Sequence, residues 1–473
     1  MRTNINSSFK SDNLESQRTE ESNQELIFAL HDKPAPLIAF FAALQHVFAS
    51  VVGIVTPPII ITNALGLSAA DASYIISMSL FVSGLATFIQ ARAFKGIGSG
   101  LLSVQGTSFA FLGPILGAAL AIKSNAGVEV ALATIFGCVI LGAFIEIFIS
   151  RYIRFAKRIF SPIVTGIVVT LIGLTLIKVG IVSMAGGFYV KENFPESFAS
   201  VKNMGLAFLV LTTIVIFNMS NNKYLRMSSI AIGLLFGYLA ALFLGVINFS
   251  QLHELTLIAA PTPFKYGLDF SLSAFIAIGL VYVITAIESI GDLTATSKLS
   301  NQPIKGDGYI RTIKGGIFAD GINSVIAGIF NTFPNSTFSQ NNGVIQLTGI
   351  ASRYVAFFIA GILVVLGLSP FIAGVFRTIP EPVLGGATLL MFGAVAVSGI
   401  RIISSEKIDS RAAIIIAISF GLGLGVQMVP EVLNNALPIE VKNILSSGVT
   451  TGGLTAIILN LLLPENSKQD SET

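Results

Sequence analysis

Glu288 and Asp292 interrupt the apolar run VYVITAIESIGDLTATS, and Asp320 interrupts IFADGINS. Residues four apart share one helix face, so Glu288 and Asp292 point the same way if this run is helical. An ionisable group inside a bilayer costs roughly 2.5–3.5 kcal/mol on insertion scales, and it marks a binding site or proton relay by default. Gln45 and His46 break a third apolar run, AALQHVFAS. His46 reads first as a core histidine bonded to a backbone carbonyl. Glu146, near Arg151 at the end of another run, reads as an end-of-span pair. The amides gather elsewhere, in NTFPNSTFSQNNGVIQLTGIASR at 331–353. An amide such as Gln340 offers a donor and an acceptor, whereas a carboxylate offers acceptors only.

The stretch 331–353 is the element that must position these groups, and an uninterrupted membrane helix cannot do it. Thr332–Gln340 contains Pro334 and reads as extended. Asn341–Ile350 reads as a short helix, because side-chain amides satisfy the unpaired N–H groups of a helix start. Broken backbone at membrane depth is tolerated only against protein or a water-filled cavity. Many transporters build their substrate sites this way, with half-helix N-termini aimed at the ligand. Phe109 and Phe338 flank such broken segments, although spacing alone favours an ordinary apolar role for each.

The chain has 473 residues, of which 53% are hydrophobic and 11% charged. Soluble domains carry about 25% charged residues, so the chain is an integral membrane protein with all-α spans. A net charge of +3 gives no sign of nucleic acid. The lone Cys138 excludes an internal disulfide and a thiolate cluster, and His31, His46 and His253 have no metal-ligand spacing. No metal and no organic cofactor are expected. No nucleophile–base pair or nucleotide motif points to an enzyme. The first 33 residues are polar, with no signal peptide evident.

A span takes about 20 mostly apolar residues. Fourteen candidates emerge: 36–61, 73–94, 101–121, 128–150, 160–182, 204–220, 228–248, 272–294, 314–330, 336–352, 354–376, 381–403, 411–430 and 444–463. Most Lys and Arg residues fall on one side, anchored by Arg151, Arg154, Lys157 and Arg158, which predicts both termini to be cytoplasmic. The third span (GLLSVQGTSFAFLGPI) and the tenth (NSTFSQNNGVIQLTGI) share a pattern: an extended run, small polar residues, then an apolar run. They hold position three in each set of seven. Seven is odd, so the halves insert in opposite orientation, a 7+7 inverted repeat whose broken segments could pair as short antiparallel strands. Spans 1–4 and 8–11 carry the polar residues, and spans 5–7 and 12–14 almost none. The resulting division is a cytoplasmic tail (1–33), core parts at 34–158 and 251–378, gate parts at 159–250 and 379–464, and a second cytoplasmic tail (465–473).

The run QNNGVIQLTG, with Gln340, Asn341, Gly343 and Thr348, resembles the signature of the nucleobase–ascorbate transporter family. The resemblance extends from about residue 26 to 464. It includes the Gln45–His46 pair, GTSF at 106–109, ESIGD at 288–292 and PEPVLGGATLLMFG after Ile379. It is closest to the bacterial xanthine permeases.

What the resemblance implies is a fourteen-span homodimer in the bacterial inner membrane, with a core moving against a gate and a purine bound between strands of spans 3 and 10. Glu288 and Gln340 would hydrogen-bond the base. Phe109 and Phe338 match ring-contacting aromatics, the backbone near Phe109 would add bonds, and Ser108 and Ser339 join the substrate group. His46, Asp292, Asp320, Asn341, Gly343 and Thr348 match positions that shape the site or couple transport. Gln340 and Gly349 depart from the uracil branch, which tends to have Glu and Arg there. The expected function is proton-coupled uptake of xanthine, with uric acid as a further substrate. A uracil or other nucleobase symporter is the alternative, and an anion exchanger of the same fold the more remote one.

Overall fold

The computed structural model describes residues 26–152, 161–222, 225–226, 228–247, 249, 252, 255–433, 437, 441–442, 445 and 447–464. Expectations placed on 1–25, Arg154, Lys157, Arg158, His253 and 465–473 lie outside the described residues.

Two helices open the chain, α1 (Pro36–Leu65) and α2 (Ala69–Arg92). Strand β1 (Gln105–Thr107) and a 3-10 turn (Phe109–Phe111) lead into α3 (Leu112–Ala126) and α4 (Val128–Arg151). Next come α5 (Pro162–Met184), the short α6 (Phe188–Asn193), α7 (Val201–Asn218) and α8 (Ser229–Phe243). The pattern then returns as α9 (Leu272–Leu299), α10 (Gly306–Ile329), β2 (Asn335–Thr337) and α11 (Ser339–Thr348). The chain closes with α12 (Arg353–Gly367), α13 (Pro370–Arg377), α14 (Glu381–Ser404), α15 (Ser410–Met428) and α16 (Gly448–Leu462).

Nine helices among the described residues are long and apolar enough to cross a membrane. The pair α12–α13 passes the same test only when taken together, and it bends by 83° at its break, as a broken span or a re-entrant loop does. The sequence reading had a single span at 354–376. The break falls at Leu368–Ser369, where Pro370 removes a backbone N–H and biases Ser369 away from helix. The Ser369 side chain then caps α13 by accepting from Ile372 N–H at 3.4 Å. Similar serine or aspartate caps start α2, α5, α9, α15 and α16.

The strands are the only ladder among the described residues, and they pair antiparallel as Gln105↔Thr337, Gly106↔Ser336 and Thr107↔Asn335. Two further bonds flank them, Ser108 N–H to the Pro334 carbonyl (2.9 Å) and Phe338 N–H to the Val104 carbonyl (3.0 Å). All six strand residues are buried, so each extended run needs the other to satisfy its backbone. Because the strands run antiparallel, α3 and α11 leave the crossing in opposite directions, with both N-termini close to it.

Helices α1–α4 and α9–α12 pack chiefly among themselves around this crossing, while α5, α7, α8 and α14–α16 form a second group. Glycine sets the second group's close contacts. A Cβ at Gly173 would meet the Ala396 backbone, and one at Gly399 the Thr170 backbone, so α5 and α14 lie nearly in backbone contact. Pro57 and Pro58 lie inside α1, which deprives the carbonyls of Gly53 and Ile54 of their usual donors.

Candidate functional site

Asp292, two turns before the end of α9, ties that helix to the second broken segment. Its Oδ2 accepts from Thr337 Oγ1 at 3.0 Å and its Oδ1 from Ser339 Oγ at 2.7 Å. Thr337 ends β2 and Ser339 begins α11, so one carboxyl group fixes the strand-to-helix corner. One turn on, Thr296 Oγ1 donates to Asn342 Oδ1 at 2.6 Å, and Asn342 Nδ2 donates to the Asp292 carbonyl at 3.3 Å.

Asp320 plays the matching part on α10. Ser289 Oγ donates to its Oδ2, and Gln90 Nε2 donates to its Oδ1 at 2.8 Å. Gln90 also donates to the Gly316 carbonyl (3.1 Å) and accepts from Ser99 N–H (2.7 Å). The fully buried Gln90 therefore holds the loop before β1 to α10. Asp320 is itself completely buried, which fits a positioning role.

Asn341 locks the other side. Its Nδ2 donates to the Leu102 carbonyl at 2.7 Å, and its Oδ1 lies 2.9 Å from His46 Nδ1. A carbonyl only accepts, so the amide nitrogen must face Leu102 and the His46 Nδ1 must carry the proton. The expected carbonyl partner of His46 is replaced by this amide, which needs the tertiary approach of α1 and α11. Glu146 also differs from its sequence reading. It is 1% exposed inside α4, while Arg151 lies over the Phe318 ring at 4.7 Å.

Of the charged and amide side chains expected at the site, Glu288 and Gln340 are the two not tied into this network. Glu288 sits one turn before Asp292, half-buried, and its Oε2 is buried without a hydrogen bond from the described residues. Gln340, in the first turn of α11, is half-buried and borders a hollow of about 160 Å³. Phe48, Val52, Ile230, Ala231 and Gly343 form its other walls, so it lies between α1, α11 and α8. Its amide forms no side-chain hydrogen bond among the described residues.

The two aromatics differ. Phe109 is half-buried and meets Phe392 of α14 edge-on, with centroids 5.4 Å apart. It thus faces the second helix group. Phe338 is 6% exposed and wedged against Gly53, Gly106 and Ile54. Its ring backs the strand crossing, and the two glycines are what make room for it. Ser108 is buried, and its N–H is committed to Pro334, so it is not among the backbone donors left near Phe109.

Gly343 faces open space, and Thr348 caps the end of α11 by bonding the Val344 carbonyl (2.8 Å) and receiving Ile350 N–H (3.2 Å). Gly349 follows at φ 67°, a left-handed cap that favours glycine. The segment before α1 also reaches this corner, since the Gly349 carbonyl accepts from Ile27 N–H at 2.8 Å.

Sequence reasoning missed Gln90, Ser289, Thr296, Thr337 and Asn342. Two of them carried a usable signal: Gln90 is a long amide in an apolar run, and Asn342 belongs to the amide run at 340–342. The others are small polar residues that membrane helices use freely.

Comparison with known proteins decides the family. The model of the Permease family, Xan_ur_permease, matches residues 37–432. The chain belongs to this family. It is 48% identical over 448 residues to the xanthine permease XanP of Escherichia coli (strain K12), covering 94% of this chain and 96% of that one. Identity to XanQ of the same strain is 43% over 451 residues, covering 95% and 96%. The uric acid permease PucJ of Bacillus subtilis (strain 168) is 34% identical over 434 residues, covering 91% and 94%. Among solved structures, the transmembrane domain of the cyanobacterial bicarbonate transporter BicA aligns with a TM-score of 0.54 at 14% identity, covering 92% of this chain and 100% of that one. Murine Slc26a9, an anion transporter in its inward-facing state, gives 0.57 at 14% identity, covering 91% and 69%. These structural matches carry the fold alone. The chain is a multi-pass membrane transporter of this family.

Proposed function

We propose that the chain imports xanthine, and also uric acid, across the bacterial inner membrane in symport with protons. The observation that carries this reading is the division of labour among the polar groups. Asp292, Asp320 and Asn341 are consumed in holding the strand crossing together. Glu288 and Gln340 are not consumed, and they flank the Asp292–Ser339 link on adjacent elements. An acceptor-only group and a donor–acceptor amide match the N–H and C=O edges of a xanthine ring. Hydrogen-bonding sites of this kind reject analogues that lack the matching group. The high identity to XanP and XanQ supports the same substrate class.

In this reading the chain makes fourteen crossings as a 7+7 inverted repeat, with both termini cytoplasmic. The group α1–α4 with α9–α12 is the core that carries the base. The group holding α5 and α14 is the gate, and the working unit is a homodimer. Glu288 is the first choice of proton carrier and Asp320 the second. An anion exchanger shares the fold, but a carboxyl group such as Glu288 suits cargo with ring N–H groups to share and disfavours a small inorganic anion that has none.

The test is uptake of radiolabelled xanthine, uric acid and uracil into cells lacking their own carriers. Xanthine uptake in sodium-free buffer that collapses with a protonophore is expected. Uptake of uracil but not xanthine would overturn the substrate, and sodium-dependent uptake that survives the protonophore would overturn the coupling.

A further inference from the structure

The two helix groups meet again far from the strand crossing, at the end of α1 opposite the N-terminus. There Asn63 Nδ2 donates to Glu381 Oε1 at 2.9 Å. Asn63 lies in the last turn of α1, and Glu381 is the first residue of α14, just after the capping Pro380. Among the described residues no other side-chain hydrogen bond joins α1 to α14. Two hollows of about 230 Å³ and 330 Å³ flank the bond, and Asn63, Arg377 and Glu381 line both. The seam here is bridged by a hydrogen bond with open space on either side. The backbone on both sides is built to hold it. Gly66, at φ 65°, ends α1 one turn past Asn63. Gly187, at φ 91°, lies so close to the Glu381 stem that a Cβ would sit 3.0 Å from its Cγ and Cδ.

We propose that Asn63 and Glu381 form a latch between the two helix groups, one that closes in the conformation seen here and opens once in each transport cycle. The proposal rests on the reading of these groups as core and gate. A rigid-body displacement of one group past the other cannot keep a 2.9 Å bond between helix ends. The bond therefore favours one state of the cycle, and its loss shifts the balance between states by about tenfold, the scale of a hydrogen bond to a carboxyl group. Water in the flanking hollows can take over the bond that Asn63 Nδ2 and Glu381 Oε1 give up when the pair parts.

The test uses the full chain with Cys138→Ala, carrying Asn63→Cys and Glu381→Cys, and a short bifunctional reagent that joins thiols through reducible bonds. The cross-linked protein should fail to take up xanthine, and a reductant should restore uptake. Cross-linked protein that transports at the uncross-linked rate overturns the latch. If the double variant does not reach the membrane, Asn63→Cys with Cys138→Ala alone serves. Its labelling by an impermeant maleimide should change severalfold when xanthine is supplied, and an unchanged rate overturns the proposal. Failure of the purine reading shows separately, as a parent chain that does not take up xanthine. In that case the same cross-link is scored with the cargo the parent does carry.

Discussion

Asn341→Ala is the sharpest test of how the site is held. Asn341 is 1% exposed, and two buried groups depend on it, His46 Nδ1 at 2.9 Å and the Leu102 carbonyl at 2.7 Å. Removing the amide leaves both without a partner, and each stranded group costs about 1–3 kcal/mol, so about 2–6 kcal/mol is at stake. The void left by the side chain is small and lets some relaxation occur, which places the expected loss near the middle, about 3–4 kcal/mol. His46, Leu102 and Asn341 bring α1, the loop before β1 and α11 to one point. The loss therefore falls on the geometry between Gln340 and the strand crossing. If a third of it appears in substrate binding, xanthine affinity drops about tenfold. Unfolding can be followed in this chain with a thiol-reactive dye, since its single cysteine, Cys138, is buried and it has no tryptophan. Asn341→Ala should lower the midpoint by several degrees. His46→Ala and the double variant complete a cycle, with a coupling of about 0.5–3 kcal/mol expected for groups in one network. A midpoint and an affinity both unchanged in Asn341→Ala, or strict additivity in the cycle, would refute the reasoning.

Glu288→Gln should abolish or severely weaken xanthine uptake with the protein still in the membrane, because it turns an acceptor-only group into one bearing a donor; near-normal uptake at low substrate would remove Glu288 from the site. Gln340→Glu should change the pattern of inhibition by ring analogues while the unfolding midpoint stays put, since the amide has no bond to lose among the described residues. Gly106→Val should cost about 1–3 kcal/mol by overpacking against Phe338 and Ile54, whereas Gly343→Ala, with nothing within 4 Å of its Cβ, should leave the midpoint equal or higher. Asp292→Asn should loosen the start of α11, read as a raised KM with unchanged expression, because one hydroxyl must turn to accept from the amide and the bonds to a carboxylate give way to weaker neutral ones.

Composition and hydropathy are enough to make this an integral membrane protein: 53% hydrophobic and 11% charged residues leave no other solvent for it. Glu288, Asp292 and Asp320 are visible in the sequence because a bilayer penalises charge, so each retained carboxyl group is conspicuous. The two broken segments are visible too, since Pro334 and the run of amides at 340–342 cannot continue an apolar helix. What these residues do was not legible, because a hydrogen bond depends on which helix arrives opposite. Asp292 and Glu288 share a face of α9, yet Asp292 spends its oxygens on Thr337 and Ser339, while Glu288 keeps one buried and unbonded. His46 meets Asn341 across 295 positions of sequence, and Asn63 meets Glu381 across 318. Phe109 and Phe338 look alike in their segments, but one meets a ring of the second helix group and the other fills the notch left by Gly53 and Gly106. Local pattern determines where a bilayer tolerates polarity. Only the packing of distant helices decides which of those polar groups are spent on the fold and which remain for a ligand.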